Sequence, residues 1–135
     1  MQLKLLTKST IPKYKKSLLK FYDPIQKRPK EYWKSLKNST FIIVAFEGEK
    51  IVWASRIVTD MYMCAMIFDV LVDPNYRNWG IASKIMQKTV AFCRDKQIKN
   101  VNLVTDPSYL WIPDFYKKFG FVVDNSRGTN MILEE

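Results

Sequence analysis

The chain has no histidine, only two cysteines and only four glycines in 135 residues. Without histidine, imidazole-based catalytic triads and histidine-rich metal sites are excluded. Cys64 and Cys93 form no CxxC pair, and no metal-ligand pattern is present. Both fall on elements that read as buried, so they are expected as reduced core thiols of a cytoplasmic protein, with one disulfide left open. Long apolar runs are also missing. The longest, at 61–68 around YMCAMIF, is too short for a bilayer, and no signal-peptide pattern opens the sequence, so no membrane contact is expected.

Hydrophobic residues make up 47% of the chain and aromatics 14%, which argues against disorder. A single domain over residues 1–135 with a real core is expected. Charge is informative by position. Residues 1–40 hold eleven Lys and Arg against Asp23 and Glu31, which accounts for the whole net charge of +9. Such asymmetry suits contact with a polyanion, although solvated helix faces rich in lysine give the same count.

Patterning places a short strand at 2–6. A helix at 11–22 follows, with Thr10 as its cap and Ile11, Tyr14, Leu18 and Phe21/Tyr22 on one side. A second basic amphipathic helix is expected at about 29–38. Two β-rich runs, 40–47 and 50–59, flank a turn at Glu47-Gly48-Glu49 and predict a hairpin. The run 61–73 is apolar on both faces and should lie centrally in the sheet. Helical spacing from Gly80 to about Lys96 turns Ile81, Ile85, Thr89, Val90 and Cys93 inward. A strand at 99–105 should run parallel to its predecessor, since a helix joins them. A short helix from Pro113 to Lys118 is closed by Gly120. FVV at 121–123 and NMILEE at 130–135 read as two last strands.

The glycine of NYRNWGIASK (75–84) stands between a strand and a helix, although the chain is short of glycine. Helix N-termini offer unpaired N–H groups and a positive dipole end, which suit a phosphate. Arg77 adds a charge, and Gly80 and Ala82 keep the loop low enough for a pyrophosphate to reach the backbone. Taken alone, such a junction is most often merely a turn. Val72, Pro74, Arg77, Gly80 and Ala82, however, resemble the acetyl-CoA signature of the GNAT acyltransferases, R/Q-x-x-G-x-G/A. Some 35 residues on, FYKKFGF (Phe115 to Phe121) resembles that family's second signature, in which a tyrosine precedes Gly-Phe. The order of elements agrees over nearly the whole chain.

The resemblance implies a GNAT-like α/β (α+β) fold. Its mixed, mostly antiparallel sheet would have six to seven strands, a central splayed parallel pair and about four helices. It implies an N-acetyltransferase that takes its acyl group from acetyl-CoA, without a metal. The pantetheine arm would bond to backbone at Leu71 and Val72, and the pyrophosphate to the amides of Asn78, Trp79, Gly80, Ile81, Ala82 and Ser83. Tyr116 would protonate the leaving thiolate, a task that suits a phenol, neutral at pH 7 and close in pKa to a thiol; a plain core tyrosine is the competing role. Asp69 resembles an acidic residue of polyamine-acetylating relatives and is a candidate base through water. By period-2 alternation it lies on the face opposite Val70 and Val72, so a structural role competes.

The sequence departs from the family pattern at three places. Ala82 replaces the commoner second glycine. Asn78-Trp79 replaces a small-plus-basic pair, so that Trp79 either meets the adenine or packs on the helix. Tyr109 stands where many relatives carry Asn. The first two helices of such folds border the acceptor, and here they hold the charge excess. An amine acceptor that is acidic, or attached to a polyanion such as tRNA or a protein on nucleic acid, is therefore expected; a polyamine or aminoglycoside is disfavoured. Monomer and homodimer both remain open. The alternatives are a non-catalytic acyl-CoA-binding module and a small basic nucleic-acid-binding domain.

Overall fold

The structure is a computed structural model that describes residues 1–77, 80–104, 111–124 and 131–134. These fall into two compact units, Met1–Val104 and Thr105–Glu135.

In the first unit the strands are β1 (Gln2–Thr7), β2 (Phe41–Glu47), β3 (Lys50–Thr59), β4 (Cys64–Val72) and β5 (Asn100–Leu103), side by side in that order. The first three pairings are antiparallel, and β4 and β5 are parallel. The helices of this unit are α1 (Lys15–Tyr22), α2 (Pro29–Lys37) and α3 (Ile81–Asp95). Ile42, Ile43, Val44 and Ala45 are all fully buried, so both faces of β2 are covered. Alternate residues explain how. Ile42, Val44 and Phe46 pack with Ala54, Leu18, Tyr22 and Leu36 beneath α1 and α2. On the opposite face Phe41 meets Phe92 of α3, with ring centroids 4.8 Å apart.

The expected helix at 11–22 is in fact a 3-10 turn, Ile11–Tyr14, leading into α1. Thr10 does not cap it. Its Oγ1 accepts from the Thr7 amide at 2.8 Å and so tightens the turn leaving β1. Cys93 is buried as expected, but Cys64 is exposed, because it opens β4 at the hairpin end of the strand. Both thiols are free.

β4 lies inside the sheet, between β3 and β5, but β3 is the middle strand, and within β4 only Ala65 and Ile67, on one face, are buried, so the expected burial of both its faces is not met. It outruns its parallel neighbour. Cys64–Ile67 pair with Asn100–Leu103, and Phe68–Val72 continue with no β5 partner among the described residues. Pairing with β3 is also interrupted. Arg56 faces Phe68 and Ala54 faces Leu71, which leaves Ser55 alone opposite Asp69 and Val70. This is a β-bulge, and Asp69 adopts a left-handed backbone with φ +53°.

The second unit holds α4 (Trp111–Lys117), ended by Gly120 at φ +96°. The Phe121 amide reaches the Tyr116 carbonyl at 3.4 Å and the Gly120 amide reaches that of Lys117 at 3.1 Å, the paired bonds of a Schellman end. The described sheet has five strands rather than six or seven. Neither 121–124 nor 131–134 is a strand. Val122, Val123 and Met131 to Leu133 have the residue types of strands, but their side chains are exposed. β-propensity records fit to a half-buried pleated surface, and without such a surface it does not make a strand.

Candidate functional site

The turn between β4 and α3 is built by Asp73. Its amide donates to the Val52 carbonyl at 2.9 Å, its Oδ1 accepts from the Asn75 amide at 2.9 Å, and its Oδ2 meets Lys50 Nζ at 3.1 Å. The Asn75 amide, and after it Lys50, hold this carboxyl below the usual range. A short 3-10 turn, Pro74–Tyr76, leads to Arg77, which is exposed and has no ion-pair partner among the described residues.

Gly80 then caps α3 with φ +70°, a backbone that only glycine adopts without strain, and apart from its chain neighbours and the helix's own backbone no atom of the described residues lies within 4 Å of where a Cβ would sit. The cap has no side chain to offer, so the first-turn amides of Ile81, Ala82 and Ser83 have no acceptor within the helix. Ile81 is fully buried, which anchors the helix. Leu71 packs toward α1 and α2, and Val72 pairs with Trp53. Both therefore contribute backbone groups at the stretch of β4 that lacks a β5 neighbour. Asn78, Trp79 and Tyr109 lie outside the described residues.

Asp69 is held from three elements. Its Oδ2 accepts from Tyr32 Oη of α2 at 2.9 Å and from Arg56 Nε of β3 at 3.0 Å. Its carbonyl accepts from Tyr22 Oη of α1 at 2.8 Å. The Arg56 and Asp69 side chains are 14% and 27% exposed. The Arg56 guanidinium also lies over the Phe68 ring, 4.7 Å from its centroid. Burial first, and the neighbouring Asp69 carboxylate among the further causes, raise both the Tyr22 and the Tyr32 hydroxyl above the usual phenol range; both therefore stay protonated as donors.

Sequence patterning did not single out Tyr22, Tyr32 or Arg56. Arg56 had a legible signal, because a lone charge within a buried β-rich run calls for a partner. The tyrosines had none, since helical spacing assigns them to the core equally well.

In the second unit Tyr116 is half-buried, and burial raises its phenol above the ordinary value. Its ring makes edge contacts with Phe115 and Phe121, at 5.2 and 6.0 Å between centroids. Its hydroxyl has no hydrogen-bond partner among the described residues.

The sequence matches the model of the acetyltransferase (GNAT) family over residues 10–121. It is 30% identical over 103 residues to the N-acetyltransferase ycf52 of Pyropia yezoensis, covering 73% of this chain and 58% of that protein. It is 33% identical over 78 residues to the chloroplastic GCN5-related N-acetyltransferase 2 of Arabidopsis thaliana, covering 58% of this chain and 29% of that one. The chain thus spans little more than half, or less, of the length of these relatives. Among solved structures, a GNAT-family acetyltransferase from Streptococcus pneumoniae superposes with a TM-score of 0.76 at 22% identity, over 99% of this chain and 97% of that one. That likeness shows the fold.

Proposed function

This chain belongs to the GNAT acetyltransferase family, and from that premise we propose that it is an N-acetyltransferase that moves an acetyl group from acetyl-CoA to an amine. The observation that carries the reading is the junction from β4 into α3. There, among the described residues, first-turn amides without an acceptor in the helix, an open Gly80 and an Arg77 without an ion pair follow a strand whose outer edge is unpaired. A pyrophosphate suits the first group, and the amide-rich pantetheine arm suits the second. Leu71, Val72 and the amides from Asn78 to Ser83 are the proposed donor contacts.

The chemistry is direct transfer. The amine nitrogen attacks the thioester carbonyl carbon, the C–N bond forms, and the C–S bond breaks as the oxyanion collapses. Tyr116 gives its phenolic proton to the departing thiolate and regains one from solvent, which also takes the proton released by the amine. Backbone amides holding the carbonyl oxygen, and the fixed approach of the two substrates, supply most of the rate. Asp69 is less suited to act as base than the sequence suggests, because Tyr32 and Arg56 already donate to its Oδ2.

For the acceptor, the supporting observation is charge. The lysines of α1 and α2 are exposed, and in residues 1–40 the one side-chain ion pair among the described residues joins Arg28 to Glu31. An acceptor that is acidic, or carried on a polyanion, fits that surface.

Calorimetry with acetyl-CoA tests the donor half. Dissociation constants on the order of micromolar are expected, followed by thiol release when amines are added. A protein that does not bind acetyl-CoA would overturn the reading.

A further inference from the structure

The Arg56–Asp69 pair is only partly used by the fold. Arg56 spends Nε on Asp69, and its Nη1 and Nη2 groups have no partner among the described residues. Asp69 spends Oδ2 on two donors, and its Oδ1 has none among the described residues. The guanidinium carbon lies over the Phe68 ring, and Phe68 itself is 38% exposed, an apolar shelf beside the pair. All of this lies at the Phe68–Val72 stretch of β4, next to the edge that lacks a β5 neighbour, and it is approached from α1 and α2.

The charges decide what such a pair can hold. Arg56 and Asp69 cancel, so the pair attracts neither a bare cation nor a bare anion strongly. An ammonium placed on Asp69 Oδ1 would sit close to the Arg56 charge and be opposed by it. That opposition is relieved when the same ligand brings an oxyanion to the Nη groups, whose planar fork matches carboxylate and phosphate. Resting on the acetyltransferase reading, we propose that Arg56 and Asp69 form the acceptor's receptor, selecting amines that carry a carboxylate or phosphate close to the nitrogen to be acetylated. Asp69 takes the amine end, Arg56 takes the oxyanion, and the body of the acceptor lies along Phe68. This makes Arg56 a specificity-determining residue and gives the basic helices a local counterpart.

The test is calorimetric titration of the CoA-saturated protein with two matched pairs: L-phenylalanine against 2-phenylethylamine, and O-phosphoethanolamine against ethanolamine. CoA in place of acetyl-CoA prevents turnover. In the wild type the oxyanion-bearing member of at least one pair should bind about tenfold tighter or more, and which pair it is distinguishes carboxylate from phosphate. Arg56→Gln should erase the preference. Arg56→Lys, which keeps a cation on Asp69 but loses the fork, should reduce it and decides the matter if Arg56→Gln does not fold. Lys13→Ser/Lys16→Ser/Lys20→Ser should leave the preference in place.

Equal binding within both pairs, no binding of any of the four probes, or a preference that survives in Arg56→Gln would overturn the assignment. So would a preference lost only in the lysine variant, which would give the selection to the helices. Titration of the same samples with acetyl-CoA separates the two readings. No acetyl-CoA binding removes the acetyltransferase, whereas acetyl-CoA binding without an oxyanion preference removes only this receptor.

Discussion

The hydroxyl of Tyr22, on α1 and fully buried, donates to the backbone carbonyl of Asp69 on β4 at 2.8 Å. It ties the first helix to a strand residue held at φ +53°, a backbone that costs a non-glycine residue about 1 kcal/mol. Tyr22→Phe keeps the ring and deletes only this bond, so a loss of about 1–2 kcal/mol is expected in urea unfolding. If the bond also sets the bulge, kcat with any accepted amine should fall while acetyl-CoA affinity holds. An unchanged kcat would confine Tyr22 to stability.

Gly80 meets two demands, a left-handed backbone and a bare surface over the first turn of α3. Substitution can separate them. Asn tolerates φ +70° better than Ala does, yet carries the larger side chain. Ala should therefore cost more stability, about 1 kcal/mol, and Asn should cost more acetyl-CoA affinity, read by melting and by calorimetry. Affinity that simply tracks stability across the two variants would reduce Gly80 to a turn residue.

What the sequence made legible divides along physical lines. The β2–β3 hairpin, the interior position of β4 and the α3 boundary follow from alternation, a long apolar run and a left-handed glycine, each of which is local information. The bulge at Asp69 is not local. The extra residue in β4 exists only relative to Ser55 across the ladder, and nothing in DVLV marks it. The same holds for the convergence of Tyr22, Tyr32 and Arg56 on one residue, which joins four elements far apart in the chain. The expected last strands had the right composition, but strand formation depends on a partner that composition does not specify.

Asp73 gives the turn before α3 a pH dependence. Its carboxyl is held below the usual range by the Asn75 amide and then by Lys50, so its pKa in the fold lies below the unfolded value of about 4. Its stabilising contribution is therefore complete above roughly pH 5 and disappears as pH falls through the folded pKa. Asp73→Asn should lower the urea midpoint at pH 7 and lose less than the wild type between about pH 5 and 2. Parallel curves for the two proteins would show that the turn does not depend on this charge.

Lys13, in the 3-10 turn before α1, and Lys16 and Lys20 of α1 are tested by ionic strength. If Lys13, Lys16 and Lys20 draw in an acidic acceptor, its KM should rise with salt, and Ser at all three positions should raise KM and flatten that dependence. The kcat and the acetyl-CoA affinity should stay close to wild type. A KM insensitive to salt in the wild type would return these residues to a solvated helix face.

Tyr116 and Phe121 carry the last prediction. The Schellman end at Gly120 brings the Phe121 amide to the Tyr116 carbonyl and places the two rings 6.0 Å apart, so the tyrosine is held by its backbone and its ring, and its hydroxyl has no partner among the described residues. Tyr116→Phe preserves those contacts. It should lower kcat by about 10²-fold or more, the usual worth of a placed general acid, with little change in acetyl-CoA affinity. The pH profile distinguishes an acid from a mere filler. Burial raises this phenol, so it stays protonated through and beyond the ordinary tyrosine range near pH 10. Single-turnover thiol release by the wild type should therefore show no loss from this group up to about pH 10, and the ratio of wild-type to Tyr116→Phe rates should stay constant up to that point. A ratio that falls near neutral pH, or a variant with wild-type kcat, would remove Tyr116 from the chemistry and leave it as the packing partner of Phe121.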